Sequence, residues 1–140
     1  MTNKKTVLIV DDAITNIRVL NGILEHDYQI CASTSGEECL QVLETADIHL
    51  LLLDANMPGL DGYAVLRSLR MSTRSCTVPV IMITGDNSAS HELRALQAGA
   101  DEFIAKPVNP DLLKLKICRV LNRVAQEHEL ARLRRQPVAS

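Results

Sequence analysis

Short apolar runs alternate with longer amphipathic stretches along most of the chain, and this alternation limits the possible folds more than any other feature of the sequence. Some runs are continuously apolar, such as residues 50–53, which is typical of strands covered on both faces of a parallel sheet. Five repeats of strand and helix predict an α/β fold, (βα)5, with a doubly wound parallel five-stranded sheet and right-handed crossovers. The predicted strands are residues 6–10, 28–32, 49–53, 78–84 and 101–105, and the predicted helices are residues 15–24, 35–44, 62–70, 89–98 and 111–124.

The composition fits one globular domain. The chain has 140 residues, of which 46% are hydrophobic and 23% charged, enough for a sizeable core. Aromatic residues make up only 2% and the net charge is −2, which argues against direct nucleic-acid binding and against attraction to anionic lipid. No apolar run approaches the roughly 20 residues that span a bilayer, and the four cysteines lack zinc-site spacing. We therefore expect a cytoplasmic protein with reduced thiols and no membrane attachment.

The C-terminal residues differ from the rest of the chain. Residues 1–125 are predicted to form the domain, with Asn109 as the cap and Pro110 as the first position of the last helix. Residues 126–140 carry no strand pattern and are too few for a folded effector domain, so we expect a C-terminal helical extension or linker stub. The chain is then either a stand-alone module or part of a longer protein.

Polar side chains follow four of the predicted strands. Asp11 and Asp12 follow the first strand, Asp54 the third, Thr84 the fourth and Lys106 the fifth. In an open α/β sheet, ligands bind at the carboxyl ends of the strands. Three carboxylates in one crevice repel each other, and a bound divalent cation usually compensates this repulsion. Oxygen ligands favour Mg²⁺ or Mn²⁺ over zinc.

Such a site can accept a phosphoryl group. The charges of three carboxylates, one divalent cation and Lys106 balance, and the cation, Lys106 and the hydroxyl of Thr84 can hold phosphoryl oxygens. An aspartate can act as the nucleophile by forming an acyl phosphate. Asp54 is the best candidate because it stands alone on the central strand, facing the pair of carboxylates.

At these residues the sequence resembles the receiver domain of two-component response regulators, from residue 6 to about 124. The matching segments are VLIVDD at 7–12, LLDANMPGLDG at 52–62, ITG at 83–85 and GADEFIAKP at 99–107. The resemblance implies a flavodoxin-like (CheY-like) fold with strand order 2-1-3-4-5. It also implies a bacterial phosphorelay protein that switches conformation when it is phosphorylated.

The resemblance implies a role for each acidic residue. Asp54 is expected to be the phospho-acceptor, in a reaction that depends on Mg²⁺ or Mn²⁺. Asp12 is expected to bind the metal directly and Asp11 through a water molecule. Asp54 and the backbone carbonyl of Asn56 would complete the protein ligands.

The remaining roles concern the phosphoryl group and the response to it. Thr84 and Lys106 are expected to hold phosphoryl oxygens, and Phe103 to turn inward when Thr84 moves toward the phosphoryl group. Asn56 and Asp86 are expected to tune the phosphoryl lifetime.

The resemblance also implies a cis bond before Pro107, the kind of bond for which cis is least costly. In the 52–62 segment, it implies that Gly62 relaxes the turn and that Asp61 caps the third helix.

The expected partners also follow from the resemblance. A sensor histidine kinase or phosphotransfer protein is expected to dock near the first helix, and a homodimer is expected to use the fourth helix, fifth strand and fifth helix. Residues 11–20 are similar to receivers that precede cyclic-di-GMP enzymes, so a missing C-terminal output enzyme would be a diguanylate cyclase or phosphodiesterase. The chain itself is expected to catalyse only its own phosphorylation and dephosphorylation.

Three other functional classes share parts of this pattern. A phosphatase of the haloacid-dehalogenase type needs a second aspartate two residues after the nucleophile, where this chain has Asn56. A flavodoxin needs a Ser/Thr-rich phosphate loop where this chain has Asp11 and Asp12, which would repel phosphate. A stand-alone adaptor or pseudo-receiver that signals by docking without phosphorylation stays open as the alternative.

Overall fold

A computed structural model describes residues 4–85 and 89–135, and five strands alternate with five helices in this part of the chain. All strand pairs are parallel and the sheet order is β2-β1-β3-β4-β5, which confirms the predicted fold and strand order. The elements are β1 (Thr6–Val10), α1 (Ile14–Leu24), β2 (Gln29–Ser33), α2 (Gly36–Thr45), β3 (Leu50–Asp54), α3 (Gly62–Met71), β4 (Val80–Thr84), α4 (Ala89–Gln97), β5 (Glu102–Ala105) and α5 (Pro110–Arg135).

The core has one apolar layer on each face of the sheet. Along β1, Leu8 and Val10 enter one layer while Val7 and Ile9 enter the other, as the two-residue period of a strand requires. Helices α2, α3 and α4 cover the first layer, and α1 and α5 cover the second. Strands β3 and β4 are buried along their whole length, which explains why their sequences are continuously apolar.

Side-chain caps begin several helices where the sequence indicated. Asp61 accepts a hydrogen bond from the backbone N–H of Ala64 at the start of α3, at 2.9 Å, which confirms it as the cap. Asn109 accepts one from Leu112 N–H, and α5 begins at Pro110 as predicted. Strand β4 begins two residues later than predicted, directly after Pro79, which has no N–H to donate to a sheet.

Helix α5 continues eleven residues beyond the predicted end at residue 124. The apolar spacing breaks at Glu127, but the helix does not need a buried face there because its residues are good helix formers. Ion pairs one turn apart also support it, with Arg123 Nε 3.9 Å from Glu127 Oε1 and Arg132 Nη2 2.6 Å from Glu129 Oε1. The predicted domain boundary between residues 125 and 126 therefore falls inside one helix.

Asp101, just before β5, ties several elements together. Its Oδ2 accepts hydrogen bonds from Arg70 Nη2 of α3, at 3.0 Å, and from the backbone N–H of Val80, at 2.8 Å. Its Oδ1 accepts one from Arg123 Nη2 of α5, at 2.8 Å. Asp101 thus links α3, β4 and the extended α5 at the edge of the sheet where β4 begins.

No helix within residues 4–85 and 89–135 combines the length and apolar character that crossing a membrane would require.

Candidate functional site

The sheet order brings the predicted site residues to one edge. Strands β1, β3, β4 and β5 are neighbours, so the residues at their carboxyl ends converge. Asp11 directly follows β1, Asp54 ends β3 and Thr84 ends β4. Lys106 directly follows β5, and its backbone N–H donates to the carbonyl of Thr84 at 2.7 Å.

Three carboxylates form the centre of the site. Asp11, Asp12 and Asp54 each offer an oxygen, and these oxygens lie within 4.8 Å of one another. Asp11 and Asp54 are only 3% and 4% exposed, whereas Asp12 is exposed to solvent. This donor set contains only hard oxygen atoms, at a spacing that fits a small divalent cation such as Mg²⁺ or Mn²⁺. The cluster could therefore hold a metal ion.

Lys106 provides a positive charge among these carboxylates. Its Nζ lies 3.4 Å from Asp54 Oδ1 and 3.7 Å from Asp11 Oδ2. One ammonium group is thus shared by the two buried carboxylates, and it lies closer to Asp54. The bond between Lys106 and Pro107 is cis, as the resemblance implied.

The environment of Asp54 raises the pKa of its carboxyl group above the usual value. Burial is the main cause, and the negative charge of Asp11 acts in the same direction. The backbone N–H of Asn56, 3.2 Å from Asp54 Oδ1, and the ammonium of Lys106 lower the pKa but do not outweigh burial. A cation beside Asp54 would therefore favour the charged carboxylate that a nucleophile must be.

Asp11 is held by α1, and this contact was missed by the sequence analysis. The backbone N–H of Ala13 donates to Asp11 Oδ1 at 2.9 Å, and Asn16 Nδ2 donates to Asp11 Oδ2 at 3.1 Å. Asn16 is five residues after Asp11, in the first turn of α1, where its side chain can reach back to the strand end. An amide at that spacing after the acidic pair was the only signal in the sequence that could have indicated it.

The other predicted residues lie around this centre. Thr84 is buried at the end of β4. Phe103 is also buried, opposite Met82 in the β4–β5 register, so its side chain lies inward in this structure. Asn56 contacts Asp54 through its backbone N–H, and its side chain is exposed. The predicted lifetime residue Asp86 lies outside the described residues.

A glycine next to Asp54 is required by close packing of the backbone. A Cβ atom at Gly62 would lie 2.3 Å from the carbonyl oxygen of Asp54 and 2.8 Å from Cα of Ala55. The N–H of Gly62 also donates to the carbonyl of Ala55 at 3.1 Å. The start of α3 is thus pressed against the end of β3, and the reason for glycine at this position is contact distance. A positive φ, by contrast, occurs in this loop at Gly59, where it is +75°.

A groove of about 300 Å³ lies between the site and α1. Asp11, Asn16 and Lys106 line it together with Val19 and Pro107. Val19 and Ile14 of α1 are 61% and 57% exposed, so this helix presents apolar side chains to solvent.

Comparisons with known proteins agree with this geometry. The family model for the response regulator receiver domain matches residues 7–118. The chain is 35% identical over 122 residues to a probable transcriptional regulator, ycf27, of Cyanophora paradoxa, covering 86% of this chain and 50% of that protein. It is 36% identical over 112 residues to a probable cyclic di-GMP phosphodiesterase of Vibrio cholerae, covering 80% of this chain and 25% of that protein. The chain therefore spans half of the first relative and a quarter of the second.

A solved structure shows the same fold at similar identity. The receiver domain protein (CheY-like) of Methanospirillum hungatei superposes with a TM-score of 0.82 at 32% sequence identity. The superposition covers 89% of this chain and 99% of that one. The family match ends at residue 118, so the last 17 described residues of α5 (119–135) lie beyond it.

Proposed function

The chain belongs to the response regulator receiver family, and on that premise we propose that Asp54 accepts a phosphoryl group in a reaction that requires Mg²⁺ or Mn²⁺. The arrangement of charges carries this proposal: three carboxylates offer oxygens within 4.8 Å of one another, and Lys106 Nζ lies 3.4 Å from Asp54. Receiver domains act in phosphorelay signalling, and this chain keeps the acidic and basic groups for that chemistry. A pseudo-receiver that never becomes phosphorylated is therefore not favoured.

The proposed donor is a phosphohistidine on a sensor histidine kinase or phosphotransfer protein. A carboxylate oxygen of Asp54 forms the new O–P bond as the N–P bond of the donor breaks, and the imidazole keeps the electron pair and takes a proton from solvent. Lys106 and the hydroxyl of Thr84 hold phosphoryl oxygens as charge develops on them. The chain catalyses only this transfer and the later hydrolysis, in which a water oxygen bonds to phosphorus as the bond to the Asp54 oxygen breaks, so that inorganic phosphate leaves and the carboxylate is restored. Asn56 and Asp86 tune this second step.

The metal would be held by the carboxylates of Asp11, Asp12 and Asp54 and by the backbone carbonyl of Asn56, with Asp11 acting through water. When bound, it offsets the negative charge of the reacting oxygens. Lys106 Nζ lies near both Asp11 and Asp54, so the same ammonium group that compensates these carboxylates is in place to hold a phosphoryl oxygen on Asp54.

Docking of the donor is proposed on α1. Ile14 and Val19 of this helix are exposed, and Val19 lines the groove that Asp11 and Lys106 also line. Apolar side chains next to a charged crevice suit a helical partner that must exclude water from the reacting atoms.

The response to phosphorylation is proposed to pass through Thr84 and Phe103 to the face formed by α4, β5 and α5. That face exposes leucines on both helices, between 43% and 55% accessible: Leu93, Leu96, Leu112 and Leu115. We propose that it forms a homodimer or meets an output domain. Apolar side chains at this exposure can contribute binding energy when covered.

The proposed domain division is a receiver at residues 1–125 and a helical extension at 126–140. Because α5 runs continuously to Arg135, a movement of the receiver would be transmitted along one rigid helix. The similarity to a transcriptional regulator and to a phosphodiesterase supports the proposal that such a receiver controls a separate output, with a cyclic-di-GMP enzyme as one candidate. A cytoplasmic location follows from the proposal, because the donor kinases use ATP.

Intact-mass spectrometry tests the proposal. The wild-type chain is incubated with acetyl phosphate or phosphoramidate, with Mg²⁺ or with a chelator, beside Asp54→Ala and the control Asp47→Ala. Asp47 is a surface aspartate, with its side chain 97% exposed. We expect a gain of about 80 Da in wild type and Asp47→Ala, absent in Asp54→Ala and without metal. No adduct with any donor would contradict the proposal and leave a chain that signals by docking alone.

A further inference from the structure

We infer that Asn16 is a positioning residue of the metal site: its side-chain amide fixes the carboxylate of Asp11, so that loss of the amide weakens binding of Mg²⁺ or Mn²⁺. This inference rests on the proposed function, because it concerns the metal that the three carboxylates would hold. It assigns a role to a residue of α1 that is not among those expected to hold the phosphoryl group or the metal.

The contacts of Asp11 carry the inference. Asn16 Nδ2 lies 3.1 Å from Oδ2, and the backbone N–H of Ala13 lies 2.9 Å from Oδ1. One donor on each oxygen fixes both the position and the rotation of the carboxylate. The ammonium of Lys106 lies farther from Oδ2, at 3.7 Å, and is nearer to Asp54, so it is a weaker constraint on this oxygen than the amide of Asn16.

The chemistry of the donor is also suitable. Asp11 is only 3% exposed, so its charge is compensated mainly by groups of the protein, and the loss of one hydrogen bond is costly. A second lysine or arginine would satisfy Asp11 but would repel a metal ion. An amide is a neutral donor that compensates the buried oxygen and leaves the negative charge available to the cation.

The size of the effect follows from comparable contacts. Outer partners that orient metal ligands typically change metal affinity by about 10-fold to 100-fold when removed. Asp11 is expected to reach the metal through water, so we expect the lower end, a rise in the dissociation constant of about 10-fold.

The chain offers a matched control for this substitution. Asn21 lies on the same helix, and its Nδ2 donates to Glu25 Oε2 at 3.0 Å on the exposed side. Asn21→Ala therefore removes an amide–carboxylate bond of similar length away from the site. Asn16→Ala removes the amide, and Asn16→Leu removes the donor while keeping a similar side-chain volume.

The experiment measures metal binding directly, in the absence of any phosphoryl donor. Each folded variant is titrated with Mn²⁺ while free Mn²⁺ is followed by electron paramagnetic resonance, and Mg²⁺ affinity is obtained by competition. Far-UV circular dichroism confirms folding. We expect both Asn16 variants to bind Mn²⁺ and Mg²⁺ about 10-fold more weakly than wild type and Asn21→Ala.

A second readout separates positioning from general damage. With acetyl phosphate as donor, the Mg²⁺ concentration for half-maximal phosphorylation should rise about 10-fold in the Asn16 variants, while the rate at saturating Mg²⁺ stays within about twofold of wild type. Equal metal affinity in Asn16→Ala and Asn21→Ala, or a rate defect that Mg²⁺ does not rescue, would overturn the inference alone. A wild-type chain that neither binds metal nor becomes phosphorylated would overturn the proposed function as well.

Discussion

The close approach of α3 to the end of β3, which carries the proposed phospho-acceptor Asp54, leads to a specific prediction for Gly62→Ala. The new Cβ would lie 2.3 Å from the carbonyl oxygen of Asp54. A carbon and a carbonyl oxygen that are not bonded normally approach to about 3.3 Å, so the two segments must separate by about 1 Å. The atoms in conflict are backbone atoms of a buried strand, and they cannot move aside as a flexible side chain would.

The cost can be estimated from similar overpacking. Forcing an extra methyl group into a packed interior costs about 1–3 kcal/mol, and backbone atoms put this case at the upper end. The higher helix propensity of alanine relative to glycine stabilises the folded chain by at most about 1 kcal/mol. We expect a net loss of about 2 kcal/mol in the free energy of unfolding, or about 8 °C in Tm for a chain of this length.

Gly22→Ala is the matched control. Gly22 lies on α1, and a Cβ there would meet nothing within 4 Å. The free energy of unfolding of this variant should rise by up to about 1 kcal/mol, so the two substitutions should change stability in opposite directions. Urea unfolding gives both values, and the phosphorylation rate at saturating Mg²⁺ should fall in Gly62→Ala because Asp54 has moved.

Equal stability of Gly62→Ala and Gly22→Ala would contradict the predicted clash. A destabilised Gly62→Ala that is phosphorylated at the wild-type rate would contradict the predicted displacement of Asp54. In that case the loop would relax without moving the carboxylate of Asp54.

Three further predictions concern stability. Asp101→Asn removes a carboxylate that is paired with two arginines, so it should lower the free energy of unfolding in urea by about 2 kcal/mol. The exposed control Asp47→Asn should lower it by less than about 0.5 kcal/mol, and equal losses would contradict the prediction. Burial and the charge of Lys5 lower the pKa of His49 below 6.5, so the unfolded chain binds the proton more readily. Wild-type stability should therefore fall as pH drops through 6.5, with a smaller slope in His49→Gln, and parallel slopes would refute this. Free Mg²⁺ at about 100 times its Kd should raise the free energy of unfolding of wild type by about 2.7 kcal/mol relative to the same chain in chelator. Asp12→Ala should lose most of this stabilisation. A similar stabilisation in both chains would argue against a metal at these carboxylates.

The sequence by itself determined the fold and most of the residues that meet at the candidate site. A parallel sheet buries both faces of its central strands, and this is why the sequences of β3 and β4 are continuously apolar. The ends of such strands meet at one edge, so Asp54, Thr84 and Lys106 could be placed together from their positions along the chain. Local rules also predicted the cap at Asn109, and the family resemblance implied the cap at Asp61; both depend on atoms only three residues away.

Only the tertiary structure decided how the charges are shared and how closely the backbone packs. The spacing of residues could not indicate that Lys106 lies between Asp11 and Asp54, or that Asn16 holds Asp11, because these contacts depend on side-chain directions across separate elements. The tight approach at Gly62 likewise depends on how α3 lies against β3. Hydrophobic patterning is a property of one segment and can be read along the chain, whereas distances of 2 to 4 Å between segments exist only after the whole sheet and its helices have packed.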